Sequence, residues 1–271
     1  MLAHIITRKF SNGIKIIKRK MNNITTIILT KNEENNIVDA IENAKLLGEK
    51  VLIVDSGSTD NTVSLAEANG AKVVYREWDN DFSAQRNFAL EHVDTEWVLY
   101  LDADERLDDE LCNSIKKVVS YGQQMQYSII RKIHAFGFEY KHGIFKPDEV
   151  LRLFPTKTVH WENKVHERPI CALPKEKLAG FIEHYTYSSW QQWWDKAGEY
   201  TTIWAEDSFA KGKRTSLGAC LGHSIYGFFR AYIIQLGFID GWSGLYSSLQ
   251  HFIYTMLKYL KLYELQNKKK C

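Results

Sequence analysis

The chain has 271 residues, of which 45% are hydrophobic and 25% are charged, and this composition fits a globular protein and excludes a mainly disordered one. Its net charge of +2 is unevenly distributed: residues 1–21 carry six bases and no acids, residues 22–208 are net −11, and residues 209–271 are net +7. The acidic middle part disfavours a nucleic-acid-binding cleft.

The cysteines and the apolar runs indicate the cellular compartment. The four cysteines lack the spacing of a zinc site or of a disulfide framework, so we expect reduced thiols in a cytoplasmic protein. The first residues lack the apolar core of a signal peptide, and no apolar run reaches the length of a membrane span. We therefore expect a chain that does not cross a bilayer.

Strands and helices alternate in the first part of the chain. β-Branched and apolar runs predict strands at residues 24–30, 51–55, 72–75 and 97–101. Apolar residues at helical spacing predict helices at residues 35–50, 63–70 and 82–93. This alternation predicts a mainly parallel sheet with helices on both faces, and ligands of such sheets bind at the carboxyl ends of the strands.

The pattern changes after about residue 122. Further strands of a mixed sheet are predicted at residues 125–133, 148–155 and 181–189, with a polar loop or hairpin at 158–169. A tryptophan-rich helix is predicted at 189–212, and helical spacing continues over 215–265 with a break at 237–244. This second part is therefore predicted to end in helices.

Polar side chains end several predicted strands: Thr30, Asp55 and Asp102. Asp104 follows two residues after Asp102, and with an extended backbone both carboxylates would project to the same side and suit a divalent metal ion. An acidic helix N-terminus is the alternative interpretation, and it is the one we expect for the acids at 108–109.

Four segments, "TIILTKNEENNI", "VLIVDSGSTDNT", "FSAQRNFAL" and "VLYLDADE", occur in an order and spacing that closely resemble the family 2 inverting glycosyltransferases with the GT-A fold. The resemblance covers residues 24–110. It continues through "VLRLFP", "VHERP", "EHYTYSS" and "GFIDGWSGL", which resemble the lipopolysaccharide-core β-glucosyltransferase branch.

The resemblance implies an architecture. We expect an α/β, GT-A (Rossmann-like) fold with a mixed, mainly parallel sheet flanked by helices and a C-terminal helical extension. The expected domains are a basic N-terminal extension at residues 1–21, a GT-A catalytic domain at 22–208 and an amphipathic helical region packed on it at 209–271.

The resemblance also implies a nucleotide-sugar site. In the family the acid at the position of Asp55 accepts a hydrogen bond from the nucleotide base, and Thr30 and Glu33 line the same pocket. Uracil offers an N–H donor to such a carboxylate, although guanine and thymine stay open. Asp102 is expected near the ribose and Arg86 near the diphosphate, where a surface ion pair on the helix is the alternative for Arg86.

A divalent metal, Mn²⁺ or Mg²⁺, is implied as the cofactor. Carried over from the family, Asp104 is the expected direct ligand, and His184 matches a position that can reach the metal or the diphosphate. A hydrogen-bonded, partly buried histidine is the alternative for His184.

An inverting transfer needs a base to take the proton of the acceptor hydroxyl. Glu167 in "VHERP" lies where the family supplies that base, with Glu162 and His166 as the other candidates. A salt bridge from Glu167 to Arg168 or another base is the structural alternative. Arg152 and His166 are expected to contact the acceptor or phosphate, and bracing of the sheet edge is the alternative for Arg152.

The C-terminal segment at 225–242 is aromatic and apolar, and Lys258 and Lys261 follow it. Such helices can lie on an anionic membrane surface without spanning it, but a homodimer interface or a core contact would use the same residues. The basic residues 1–21 match nothing in the family.

These inferences together predict a metal-dependent inverting transfer of a hexose, glucose from UDP-glucose, onto a lipopolysaccharide-core or other lipid-linked glycan. We expect a cytoplasmic enzyme that can contact the inner face of the membrane peripherally. A nucleotidyltransferase is the alternative, but "LTKNEENN" lacks the Gly-rich loop and lysine that it would use. A non-catalytic membrane- or sugar-binding relative is the second alternative function.

Overall fold

The computed structural model describes residues 23–163 and 167–268, so the predicted N-terminal extension (1–21) and His166 lie outside the described residues. The strands are β1 (Ile24–Thr30), β2 (Val51–Asp55), β3 (Lys72–Tyr75), β4 (Trp97–Asp102), β5 (Glu105–Leu107), β6 (Gln126–Ala135), β7 (Phe138–Tyr140), β8 (Asp148–Pro155), β9 (His160–Glu162), β10 (Arg168–Ile170) and β11 (Lys175–Tyr187). The helices are α1 (Ile37–Lys45), α2 (Thr62–Ala68), α3 (Phe82–Leu90), α4 (Asp109–Tyr121), α5 (Trp190–Ala210), α6 (Leu217–Phe229) and α7 (Trp242–Asn267).

Nine of the described strands form one mixed sheet in the order β3-β2-β1-β4-β8-β6-β11-β5, with β7 paired to β6. Strands β3, β2, β1 and β4 run parallel, whereas β8 is antiparallel to β4 and β5 is antiparallel to β11. Strands β9 and β10 form a separate antiparallel pair. The predicted fold class, a mixed α/β sheet flanked by helices with C-terminal helices, is confirmed.

Strand β4 is buried on both faces of the sheet. Trp97, Leu99 and Leu101 belong to the core cluster that includes α1 and α4, and Val98 and Tyr100 belong to the cluster that includes the end of α3. Successive side chains of a strand point to opposite faces, so an uninterrupted apolar run fits between two layers of helices. This burial fixes the position at which the acids after β4 begin.

The register brings three strand ends to one edge of the sheet. Thr30 lies opposite Asp55, and Leu29 lies opposite Asp102, so β1 separates the two acidic strand ends. Parallel strands end at the same edge, which is where α/β sheets bind ligands.

Helix α4 is capped at both ends and lies close to β11. Asp108 accepts a hydrogen bond from the Leu111 N–H over 2.7 Å, as expected for an N-cap, and Gly122 ends the helix with a φ of 70°. Gly180 of β11 has a φ of 91°, and a Cβ there would lie 2.2 Å from the Leu111 nitrogen. Only glycine fits this approach.

Most predicted bounds agree with the structure, and the differences have local causes. Helix α3 ends at Leu90 rather than at residue 93. The strand predicted at 181–189 begins earlier, at Lys175, because β11 extends through Gly180. The segment at 158–169 contributes β9 and β10, which is the hairpin alternative.

The chain divides into two compact units. The first contains the described residues up to Arg131 and those from Glu149 to His184, and the second contains residues 132–148 and the chain from Tyr185 onward. Helix α5, which the predicted bounds assign to the first domain, is part of the second unit because it packs against α7. No helix in residues 23–163 or 167–268 is both long and apolar enough to span a bilayer.

In the second unit, a carboxylate ties the segment before β8 to the turn before α7. Asp240 accepts hydrogen bonds from the backbone N–H groups of Lys141 and His142 over 2.9 and 2.8 Å, and its other oxygen lies 2.6 Å from His142 Nδ1. Burial alone would raise the pKa of Asp240, but these donors outweigh it and hold that pKa below its ordinary value.

Candidate active site

Asp55 organises the loop that follows β2. Its carboxylate accepts from the N–H groups of Gly57 and Ser58 over 2.8 and 2.9 Å and from the Ser58 hydroxyl, and the Thr30 hydroxyl lies 3.5 Å away. Asp55 and Thr30 are both 3% exposed. A carboxylate has about four acceptor positions, so this loop engages the oxygens that a nucleotide base was predicted to use.

Glu33 precedes α1 and contacts the next helix. Its backbone N–H donates to Thr62 Oγ1 over 2.8 Å, and its carboxylate accepts from the Asn36 side chain over 2.7 Å. Neighbouring Asn32, with a φ of 56°, donates from its N–H to the same Ser58 hydroxyl that contacts Asp55. The loops after β1 and β2 are therefore hydrogen-bonded to each other beside the predicted base pocket.

Glu105 is the centre of a buried ion-pair network. Its side chain is fully buried, and Oε1 lies 2.7 Å from Arg152 and 3.1 Å from Arg131. Oε2 accepts the Asp102 N–H over 3.0 Å. This bond closes a turn at Ala103 and Asp104 between β4 and β5, so the condition of an extended D-x-D backbone is not met.

Asp102 is held between two arginines. Oδ1 lies 3.4 Å from Arg86 Nη2, and Oδ2 lies 2.8 Å from Arg152 Nη2. Burial alone would raise the pKa of Asp102, but the positive charges of Arg152 and Arg86 outweigh it and hold that pKa well below its usual range. Asp102 is therefore ionised at neutral pH.

Arg152 is itself 5% exposed and bridges Asp102 and Glu105. Burial would lower the pKa of Arg152, but the two carboxylates raise it further above its ordinary value. These contacts agree with the bracing alternative for Arg152. A contact with phosphate or acceptor stays a prediction.

Arg86 projects from α3 into the same region. Its guanidinium lies 4.7 Å from the centre of the Trp161 ring and 5.5 Å from that of Tyr100, and its Nη2 is 3.2 Å from Glu167 Oε1. Its Nε and Nη1 are buried and have no hydrogen-bond partner within the described parts of the chain. Arg86 is 4% exposed, which is contrary to the alternative of a surface ion pair.

Asp104 and His184 form a pair at the other end of the turn. Asp104 Oδ2 lies 3.2 Å from His184 Nε2, and both side chains are about one-sixth exposed or less. Burial would lower the pKa of His184, but the hydrogen bond and charge of Asp104, with the charge of Glu105, raise it above its ordinary value.

Asp104 and His184 fit a divalent metal as part of a larger set of ligands. The described residues contain no group of three or more His, Cys, Asp or Glu side chains that could hold an ion by themselves. Asp104 and His184 would supply two ligands, and oxygens of a bound diphosphate and water would complete the coordination, as is usual for Mg²⁺ at phosphate sites.

Helix α3 also holds the chain that carries Glu167. Asn87 makes two hydrogen bonds of 2.8 Å with the backbone N–H and C=O of Trp161, and the Ser83 hydroxyl donates to the Asn163 carbonyl over 2.6 Å. The other candidate base, Glu162, is nearly half exposed and contacts His160 and Arg168. Of the candidate bases in the described residues, Glu167 is the one that shares Arg86 with Asp102.

Four residues of the site were not predicted from the sequence: Glu105, Arg131, Asn87 and Trp161. Glu105 completes the "DADE" segment and Asn87 lies inside "FSAQRNFAL", so both were within motifs whose other members were assigned. Arg131 and Trp161 had no such signal, because their partners are distant in sequence. The roles predicted for all the site residues stay predictions.

Comparisons with known proteins identify the family. A family model described as Glycosyl transferase family 2 matches residues 25–173, more than half of the chain. An uncharacterized glycosyltransferase of Rickettsia typhi is 30% identical over 259 residues, which are 91% of this chain and 87% of that protein. The lipopolysaccharide core biosynthesis glycosyltransferase LpsC of Rhizobium meliloti is 25% identical over 253 residues, which are 89% of this chain and 92% of that protein.

Among solved structures, glucosyl-3-phosphoglycerate synthase from Mycobacterium tuberculosis, in complex with Mn²⁺, UDP-glucose and phosphoglyceric acid, is 21% identical with a TM-score of 0.35. The match covers 45% of this chain and 47% of that one. The assignment therefore rests on the family model and on the relative matched along most of its length. The chain belongs to glycosyl transferase family 2.

Proposed function

We propose that this glycosyltransferase carries out a metal-dependent, inverting transfer of a hexose, glucose from UDP-glucose, onto a lipopolysaccharide-core or other lipid-linked glycan. The observation that carries the proposal is the group of Asp102, Arg86 and Glu167, in which one guanidinium contacts both carboxylates at the carboxyl edge of the sheet. Asp104, which pairs with His184 of β11, follows two residues after Asp102.

The donor would bind along this edge. Asp55 and Thr30 would contact the base, with Glu33 in the adjoining loop, and Asp102 would contact the ribose. A uracil N–H would have to replace one of the two hydroxyl groups, of Thr30 and Ser58, from which Asp55 now accepts a hydrogen bond. The unpartnered Nε and Nη1 of Arg86 suit a diphosphate, which would supply the missing acceptors.

Asp104 and His184 would hold Mn²⁺ or Mg²⁺. When bound, the ion neutralises negative charge on the diphosphate leaving group. His184 would contribute as a neutral imidazole, so its proton must leave before the ion is coordinated.

Glu167 would act as the base. Its carboxylate takes the proton of the acceptor hydroxyl while the hydroxyl oxygen forms a bond to the anomeric carbon. The bond from that carbon to the diphosphate oxygen breaks, and the nucleoside diphosphate leaves with the electron pair. Arg86 would orient Glu167 in this step through the 3.2 Å contact.

The acceptor class is supported by the relative named as a lipopolysaccharide core biosynthesis glycosyltransferase, which matches over 89% of this chain. A growing saccharide on a lipid would satisfy the same chemistry, because the reacting group is a sugar hydroxyl.

Calorimetric binding of UDP, GDP and dTDP, with Mn²⁺ or with EDTA, tests the donor site. Asp104→Asn should abolish the metal-dependent part of UDP binding, and Asp109→Asn is the matched control because Asp109 is exposed at the start of α4. Hydrolysis of UDP-glucose and transfer of labelled glucose to truncated lipopolysaccharide then test the donor sugar and the acceptor. Absence of nucleotide binding in every metal condition would refute the proposal.

A further inference from the structure

The second unit has an extensive exposed apolar surface. Twelve of the 23 large hydrophobic side chains that are exposed in the described residues lie between residues 217 and 249. Five of them recur every four residues along α6 and the π-helical turn that continues it (Arg230–Ile234): Leu217, Leu221, Ile225, Phe229 and Ile233. We call the surface formed by residues 217–242 the α6 face. Contiguous apolar surface of this kind marks an interaction site.

The packing of α6 is inverted with respect to a helix in water. The side of α6 that is buried consists of small residues, Cys220, Ser224 and Gly227, and Ala231 continues it. A Cβ at Gly227 would lie 3.2 Å from the His251 ring of α7. A helix in water buries its large apolar residues, whereas small residues between helices and large ones outside are typical of helices that face lipid.

The first turns of α7 follow the same pattern. Ser247 and Ser248 are buried, and both hydroxyls donate to the Gly244 carbonyl, over 3.1 and 2.7 Å. A Cβ at Gly244 would lie 1.7 Å from the Gly237 carbonyl oxygen, so these backbones approach closely. The hydroxyls of Ser247 and Ser248 are thus satisfied within the helix, and the outer side chains are left for an apolar environment.

The charges around the α6 face are positive. Residues 211–250 contain four Lys or Arg residues and a single acid, Asp240. The Asp240 side chain is 6% exposed and is paired with His142. Lys213 and Arg214 are exposed just before α6, and Arg230 is exposed at its end. A two-fold contact between copies through this face would bring these like charges together, whereas anionic lipid headgroups would complement them.

We propose that the α6 face docks on an anionic lipid bilayer. The helix lies in the plane of the headgroup region, its row of leucine, isoleucine and phenylalanine side chains enters the acyl boundary, and the basic residues contact headgroups. Trp242 is 84% exposed, and Tyr226 is 59% exposed; both have the amphipathic rings that favour a membrane interface. This proposal does not depend on the transfer reaction.

Vesicle sedimentation with the purified full chain tests the docking. The chain should bind vesicles that contain phosphatidylglycerol and bind phosphatidylcholine vesicles at least tenfold more weakly. The double variant Leu221→Glu with Ile225→Glu should lose at least tenfold in binding to the anionic vesicles. Leu46→Glu and Tyr121→Glu also place a charge at exposed apolar positions, 46% and 75% exposed, in the first unit, and they should bind like the unaltered chain.

Intrinsic fluorescence is a second test of the docking, and it does not require that a charged variant folds. Anionic vesicles should shift the tryptophan emission to the blue and allow quenching by brominated lipids, and Trp242→Phe should remove most of this change. Trp194→Phe, at a side chain 49% exposed on α5, should retain it.

Three outcomes would overturn the proposal. The first is that the unaltered chain binds no vesicle, and the second is that the Leu221 and Ile225 variant binds as the controls do. The third is a dimer in sedimentation velocity that dissociates in this variant while the unaltered chain ignores lipid, which would assign the face to a second copy.

Discussion

Arg86 donates from Nη2 to Glu167 Oε1 over 3.2 Å, although 81 residues separate the two in sequence. The same nitrogen lies 3.4 Å from Asp102 Oδ1. The contact links α3, the end of β4 and the chain before β10 through a single guanidinium. The proposed base and the proposed ribose contact are therefore positioned by the same side chain, which makes the chemistry sensitive to how α3 holds the β9–β10 segment.

Replacing the proposed base should separate binding from catalysis. Glu167→Gln keeps the shape of the side chain but removes its ability to take a proton, so kcat for transfer should fall by roughly 10²–10⁴. Donor binding measured by calorimetry should change by less than about threefold. Glu162→Gln, at the exposed alternative, should leave kcat unchanged; the reverse result would move the base to Glu162.

The hydrogen bonds of Asn87 should matter for catalysis without contacting a substrate. Asn87→Ala removes both 2.8 Å bonds to the Trp161 backbone, and the segment that carries Glu167 should become less well positioned. We expect a loss of about tenfold or more in kcat and a smaller change in KM.

Asn113→Ala is the control for this variant, because Asn113 is exposed on α4. Kinetics of both variants at equal thermal stability provide the measurement. Equal kcat values for Asn87→Ala and Asn113→Ala would show that the positioning role is wrong.

Glu105 should contribute to the stability of the fold as well as to the site. Glu105→Gln removes the buried negative charge that Arg152 and Arg131 share, so the free energy of unfolding should fall by about 3–5 kcal/mol. Glu67→Gln, exposed on α2, should change it by less than about 0.5 kcal/mol. Urea denaturation at neutral pH measures both, and similar values for the two variants would contradict the network.

The fold could be predicted from the sequence where a pattern is local. The run from Val98 to Leu101 is apolar throughout, and a strand buried on both faces is the structure that satisfies it. The bounds of β1 and β2, which are almost entirely buried, were predicted to the residue for the same reason. Those of β3, none of whose residues is buried, were predicted from its short β-branched run. The first part of β11 was missed because its residues Lys175–Lys177 are polar and exposed, so they lack the apolar pattern of a buried strand.

The site was predictable as a set of residues but not as a set of contacts. The family motifs contain Asp102, Asp104 and Arg86, but nothing local in them indicates that Arg152 and Arg131 converge on Glu105. Those pairings depend on the neighbouring order of β4, β8, β6, β11 and β5, which the antiparallel half of the sheet determines. The same holds for the pair of Asn87 and Trp161, which are 74 residues apart.

Two glycines allow the cost of backbone strain to be measured apart from the cost of a steric clash. Gly180 and Gly212 have φ values of 91° and 80°, so alanine is strained at both, but a Cβ at Gly212 would meet nothing within 4 Å. Gly212→Ala should lower the free energy of unfolding by about 1–2 kcal/mol. Gly180→Ala should lower it by more than about 3 kcal/mol or prevent folding, because its Cβ would clash with the Leu111 backbone.

Thermal unfolding of the two purified variants checks the difference. A similar shift in Tm for both would mean that β11 and α4 are further apart than described. A larger loss for Gly212→Ala would have the same meaning.

The pKa of Asp240 gives a pH dependence with a definite sign. Because that pKa is lowered by the donors from His142 and Lys141, the stabilisation is fully present above the ordinary aspartate pKa of 3.8 and is lost as the pH falls through the lower folded value. At pH 7, Asp240→Asn should lower the free energy of unfolding by about 1.5–3 kcal/mol, since hydrogen bonds to an ionised group are replaced by neutral ones. The difference between the two proteins should shrink as the pH falls below about 4. Urea titrations from pH 3 to 7 measure it, with Asp207→Asn as the control because Asp207 forms an exposed pair with Lys211. A difference that grows as the pH falls from 4 to 3 would contradict the lowered pKa.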